Sequence, residues 1–96
     1  MSSVNVSLQV IPKVEDDKVY DVVDKVIQYI DSCGINYEVG PMETTMEGEF
    51  EDLMEIVKKA QDICVNQGAS RIISIVKIDY KPEGVTIVEK VGKYRK

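Results

Sequence analysis

The stretch VYDVVDKVIQYIDSCG, residues 19–34, decides the fold. Val19, Val22, Val23, Val26, Ile27 and Ile30 fall at i, i+3, i+4, i+7, i+8 and i+11, one apolar stripe along a helix. Glu15, Asp16 and Asp17 put negative charge at its positive amino end, and Gly34 stands where such a helix stops. The pattern returns 34 positions later, where Leu53, Ile56, Val57, Ala60, Cys64 and Gly68 repeat Val19, Val22, Val23, Val26, Ile30 and Gly34. Apolar stripes coincide easily, so the shared glycine stop carries more weight than the stripe. Two equivalent helices imply a duplicated unit.

The flanks supply strands. Val4, Val6, Leu8 and Val10 alternate with Asn5, Ser7 and Gln9, a strand with one apolar and one polar face, ended by Pro12. Residues 35–39 read as a second strand broken at Gly40-Pro41, and residues 42–47 as a third ended by Gly48. Phe50, Leu53, Met54, Val57, Ala60 and Cys64 then line the second helix. Residues 71–79 are a fourth strand, apolar on both sides, so both of its faces are expected to be covered. Lys81-Pro82-Glu83-Gly84 fits a type I turn, and Thr86 with Glu89 forms a capping box that opens a short third helix. That segment is too short to stand alone and is expected to dock on its own domain or on a neighbouring subunit.

The order βαβ, βαβ predicts an α+β, ferredoxin-like βαββαβ sandwich spanning residues 1–96 as one domain. Two helices cover one face of a four-stranded antiparallel sheet, with a short C-terminal helix added. The face carrying Val4, Val6, Leu8 and Val10 is the covered one. Asn5, Ser7 and Gln9 then line an open face that suits an oligomer interface or a ligand platform.

Composition narrows the function. Twelve basic against 17 acidic side chains give a net charge of −5, a field that disfavours nucleic acid. No apolar run reaches the roughly 20 residues of a membrane span, and the start lacks a signal-peptide pattern, so a cytoplasmic protein is expected. There is no histidine, which removes Ser/His/Asp and Cys/His nucleophile systems and the commonest metal ligand. Cys33 and Cys64 each close an apolar helical stripe and read as buried, reduced thiols, and no metal site is expected. Glycine-rich phosphate loops and RNA-binding aromatic runs are both missing.

The carboxylates of residues 15–24 and 49–55 read as solvated helix faces. Glu47 differs, because it belongs to the third strand and shares a side with Thr45, while Thr44 points with Met46 to the other. Tyr37 lies mid-strand, where its ring can pack under the helices or stack on a planar ligand. Three functional classes stay open at this point. They are a binding or carrier protein, a small isomerase-type enzyme using carboxylates, and a regulatory domain that senses a small molecule.

The segment Tyr37-Glu38-Val39-Gly40-Pro41-Met42-Glu43-Thr44-Thr45-Met46-Glu47-Gly48 resembles the P-x-x-T-x-x-E-G strand pair of the small thiamine-binding protein family. Val10-Ile11-Pro12, Arg71 with Lys77-Ile78-Asp79, and residues 85–91 are similar to that family too, so the resemblance spans almost the whole chain. Glu43 departs from the small residue often found before the threonine. The resemblance implies a ferredoxin-like subunit that assembles as a homotetramer, a dimer of dimers. It also implies non-catalytic binding of thiamine or its hydroxymethyl-aminopyrimidine half at a subunit interface, with no cofactor. Thr44 and Glu47 carry over from the motif as ligand-binding residues. Strand geometry adds Ser7, Tyr37, Thr45 and Ser74, since hydroxyls and a carboxylate match the donor–acceptor edge of an aminopyrimidine.

Overall fold

The computed structural model describes residues 3–95. Strand β1 (Val4–Pro12) leads to helix α1 (Val19–Ser32), strands β2 (Asn36–Val39) and β3 (Thr44–Gly48), helix α2 (Phe50–Asn66), strand β4 (Ile72–Asp79) and helix α3 (Ile87–Val91). The sheet is antiparallel throughout, in the order β2-β3-β1-β4. This is the expected α+β sandwich, with β1 and β3 central.

Alternation along β1 turns Val4, Val6 and Leu8 toward the helices, and Met46 of β3 joins them. Val22, Val26 and Ile30 of α1 and Leu53, Ile56, Val57, Ala60 and Cys64 of α2 complete the core. Val23 and Ile27, on the flank of the α1 stripe, are only half-buried. Both helices stop as their sequences indicate. Gly34 and Gly68 follow the two C-caps with φ of +74° and +97°, left-handed values that cost other residues a Cβ clash.

The strand boundaries shift slightly from the sequence reading. The Gly40 N–H donates to the Glu43 carbonyl at 2.8 Å, closing a turn over residues 40–43, so β3 starts at Thr44 rather than Met42. Cys64 is fully buried, and burial pushes its thiol pKa up. Cys33 is only half-buried, against expectation, and its S–H donates to the Tyr29 carbonyl at 3.2 Å. Both thiols are free.

The open face is partly covered by the chain's own C-terminal segment, one of the two docking modes its shortness implied. Residues 85–95 fold back across it as a strap. The Val85 N–H donates to the Ser3 carbonyl at 3.0 Å, and the capping box forms as predicted, with Thr86 Oγ1 accepting from the Glu89 N–H at 3.1 Å. Beyond the strap, Ile73 and Ile75 of β4 stay 51% and 47% exposed beside Ile11 of β1. The outer face of β4 is therefore not covered within one chain.

Among the described residues, no helix is long and apolar enough to cross a membrane, and no cluster of acidic or cysteine side chains could hold a metal ion.

Candidate functional site

Strand parity divides the six residues singled out from sequence. Ser7, Thr45 and Glu47 stand on the open face, whereas Tyr37, Thr44 and Ser74 stand on the helix-facing side. The structure does not bring them into one pocket.

Across the open face, antiparallel pairing lines up two polar rungs. Asn36, Glu47, Asn5 and Asp79 form one, and Glu38, Thr45, Ser7 and Lys77 the next. Ser7 Oγ and Thr45 Oγ1 share a hydrogen bond of 2.8 Å. Glu47 anchors the strap: its Oε1 accepts the Ile87 N–H at 2.6 Å and its Oε2 accepts from Asn36 Nδ2 at 3.1 Å. The carboxylate thus meets an unpaired amide at the start of α3, a favourable placement for negative charge.

The strap is also tied to both edge strands. Lys90 pairs with Asp79 of β4 at 2.7 Å, and the Arg95 guanidinium makes a two-pronged pair with Glu38 of β2, both contacts 2.6 Å. The hydrogen bond from Arg95 holds the Glu38 carboxyl below its ordinary value. A lowered folded-state pKa means that this attachment is complete above the ordinary carboxylate pKa and is lost as pH falls through the lowered value. In an NMR acid titration, the Arg95 Nε–H resonance is expected to follow Glu38 with a midpoint below about 4.3. A midpoint at or above that figure would show that the latch does not hold in solution.

On the other side of the sheet, Ser74 Oγ donates to Gln61 Oε1 of α2 at 2.8 Å, and the Tyr37 hydroxyl donates to Asp31 Oδ1 of α1 at 2.7 Å. Both side chains tie strand to helix. Thr44 is different. It is only 7% exposed, no side-chain hydrogen bond joins it to another described residue, and its hydroxyl is not sealed from solvent. It lines a cleft of about 240 Å³ between α1 and the β2–β3 turn. The walls of this cleft are Leu8, Val10, Val19, Val23 and Ile27, and its mouth carries Gln9, Tyr20, Pro41, Met42 and Glu43. An apolar cleft with one unspent hydroxyl and a few polar groups at its rim is the usual form of a small-molecule site. The half-buried Val23 and Ile27, which the core does not fully use, form one wall of it.

A second cleft, about 280 Å³, lies under the strap and is lined by Asn5, Ser7, Glu38, Thr45, Lys77, Asp79, Ile87, Lys90 and Val91. Asn5 and Glu38 were not singled out from sequence as site residues. Asn5 reads as one polar member of an alternating strand, and Glu38 gains its partner only 57 residues later in the chain.

Comparison with known proteins places this geometry. A family model described as "Thiamine-binding protein" matches residues 6–95. A UPF0045 protein of Clostridium perfringens is 67% identical over 95 residues, covering 99% of this chain and 100% of that protein. Among solved structures, a Bacillus cereus domain of unknown function superposes with a TM-score of 0.91 at 49% identity, covering 98% of this chain and 91% of that one. A Thermotoga maritima protein provisionally assigned to thiamine biosynthesis or salvage superposes with a TM-score of 0.89 at 48% identity, covering 97% and 99%.

Proposed function

Since the chain belongs to the thiamine-binding protein family, we propose that it binds thiamine, or its hydroxymethyl-aminopyrimidine half, without catalysis in the cleft between α1 and the β2–β3 turn. The observation that carries this reading is Thr44, a residue only 7% exposed that lines a ligand-sized cleft with apolar walls and ties its hydroxyl to no other described residue. An aminopyrimidine offers its polar edge to that hydroxyl and its flat face to Val19, Val23 and Ile27. The thiazolium half carries a fixed positive charge. The net charge of −5 favours it, and Glu43 at the mouth can exchange its exposed Lys77 partner for it.

Non-catalytic binding agrees with the lining, whose ionisable side chains are Glu43 and Tyr20. Glu43 is already engaged by the Lys77 ammonium at 2.7 Å, and no second carboxylate stands beside it in the lining to share a proton. A position at a subunit interface agrees with the mouth. Tyr20 is 83% exposed and Met42 73%, which leaves apolar surface for a neighbouring subunit to cover. The exposed row of Ile11, Ile73 and Ile75 on the open face offers a second contact, so two distinct surfaces are available for a dimer of dimers in a cytoplasmic homotetramer. Glu47, in this reading, serves the strap rather than the ligand.

Calorimetric titration with thiamine, the hydroxymethyl-aminopyrimidine half and the thiazole half tests the proposal. Binding is expected for the first two and not for the third. At about 100-fold excess over Kd a ligand of the folded form adds about 2.7 kcal/mol, and the melting temperature is expected to rise on the order of 10 °C. No heat and no shift with thiamine or its pyrimidine would overturn the reading.

A further inference from the structure

The cleft under the strap has features that the thiamine reading does not use. It lies on the opposite side of the sheet from Thr44, with the exposed Lys77–Glu43 pair joining the two rims. Asn5 is 3% exposed, its Nδ2 donates to the Val85 carbonyl at 3.4 Å, and its buried Oδ1 has no hydrogen-bond partner among the described residues. A buried acceptor without a donor is costly, and native folds keep few of them. Beside it, Ser7 and Thr45 spend one hydroxyl hydrogen on each other and keep one free. The rim carries two carboxylates, Glu38 and Asp79, and two ammonium groups, Lys77 and Lys90.

We propose that this cleft is a second binding site, for a small zwitterion bearing one ammonium and one carboxylate, of the size of a free amino acid. The rim selects the class. A simple anion would face Glu38 and Asp79, and a simple cation would face Lys77 and Lys90, whereas a zwitterion meets both signs with partners. When the strap, tied to Asn5 through the Val85 carbonyl, lifts to admit a ligand, an ammonium group supplies the donor that the sealed Asn5 Oδ1 lacks, and a carboxylate accepts from the free hydroxyl and from a lysine. At about 280 Å³ the space is just below the roughly 300 Å³ where drug-sized pockets begin. The rim charges are now held in exposed pairs, Lys90 with Asp79, Lys77 with Glu43 and Glu38 with Arg95. The two lysine pairs are held weakly and exchange readily for a ligand, whereas the two-pronged Glu38–Arg95 pair stays with the strap. The strap, whose α3 contributes no fully buried residue, is the cover that must yield for entry.

Amide NMR of the full chain tests this, with glycine, L-serine and L-glutamine as probes and acetate and methylammonium as single-charge controls. The zwitterions are expected to shift the Asn5 side-chain amide and the Ser7, Thr45 and Ile87 backbone amides saturably, and the Val23 and Thr44 amides not at all. The controls are expected to leave all of them unmoved. Lys90→Gln should weaken the response several-fold, and Asn5→Leu, which also removes the orphan acceptor, should abolish it. Three outcomes would overturn the proposal: no saturable shift up to tens of millimolar, an equal response to acetate or methylammonium, or a long-lived water at Asn5 that no probe displaces. Because the reporting residues lie on the open face, failure here leaves the thiamine titration untouched, and the reverse also holds.

Discussion

Thr44→Val is expected to weaken thiamine binding roughly 5- to 100-fold while leaving the fold as stable as before. The substitution keeps the shape of the side chain and removes only the hydroxyl. In the bound state that hydroxyl pairs with a polar edge of the ligand, and a buried group left unpaired costs about 1 to 3 kcal/mol, with 1.4 kcal/mol to each factor of ten. In the free protein the same hydroxyl is bonded to no other described residue, so a methyl group in its place removes no hydrogen bond within the fold. Valine also suits a strand at least as well as threonine. Binding and stability should therefore separate, which few substitutions at a buried position achieve. Calorimetry alongside urea denaturation makes the measurement. Equal affinity for the variant and the wild type would remove Thr44 from the site, and a loss of several kcal/mol of stability would show that its hydroxyl serves the fold.

Leu53→Ala is expected to cost about 2 to 5 kcal/mol of stability, because truncating a buried leucine loses its transfer free energy and leaves a cavity. Leu53 is fully buried at the first turn of α2, and its side chain closes against Gly48 at the end of β3. The cavity would open where helix, strand and the start of the second repeat meet. A domain of this size has a total stability on the order of 5 to 10 kcal/mol, so the variant should sit near its unfolding threshold. Ile30→Val, also at a fully buried position but removing one methylene, is expected to cost only about 0.5 to 1.5 kcal/mol. Urea midpoints compared at unchanged slope decide both. A loss below about 1 kcal/mol at Leu53 would mean that the repeat junction can collapse and that the core is not packed as described.

Much of the fold was legible because it rests on local periodicity. The α1 and α2 stripes, the alternation of β1, and the glycine stops at Gly34 and Gly68 are each written within a dozen or so neighbouring residues. The capping box at Thr86 is local too. The site was legible only in part. The pairing of Thr45 with Glu47 on one side and Thr44 with Met46 on the other follows from the two-residue period of a strand. What each side meets does not follow, and Tyr37 and Ser74 turned out to be tied to Asp31 and Gln61 of the helices.

The sequence by itself determined the elements and their order, and for β1, α1 and α2 the face each presents, since these depend on near neighbours and on the burial of apolar area. Strand β4, apolar on both sides, was expected to be covered on both and is not. Only the tertiary structure decided what covers the open face. The strap is held by Arg95 on Glu38, Lys90 on Asp79 and the Ile87 amide on Glu47, links spanning 57, 11 and 40 positions. The tertiary structure likewise decided that Asn5 lies buried with an unspent carbonyl and that Thr44 lines a cleft. Charged and hydroxylated side chains carry no period that marks their partners. A polar residue reads alike in sequence whether it meets water, a ligand or a segment arriving from the far end of the chain. Its environment is set by which surfaces the folded core brings together, and that is a property of the packing of all the elements at once.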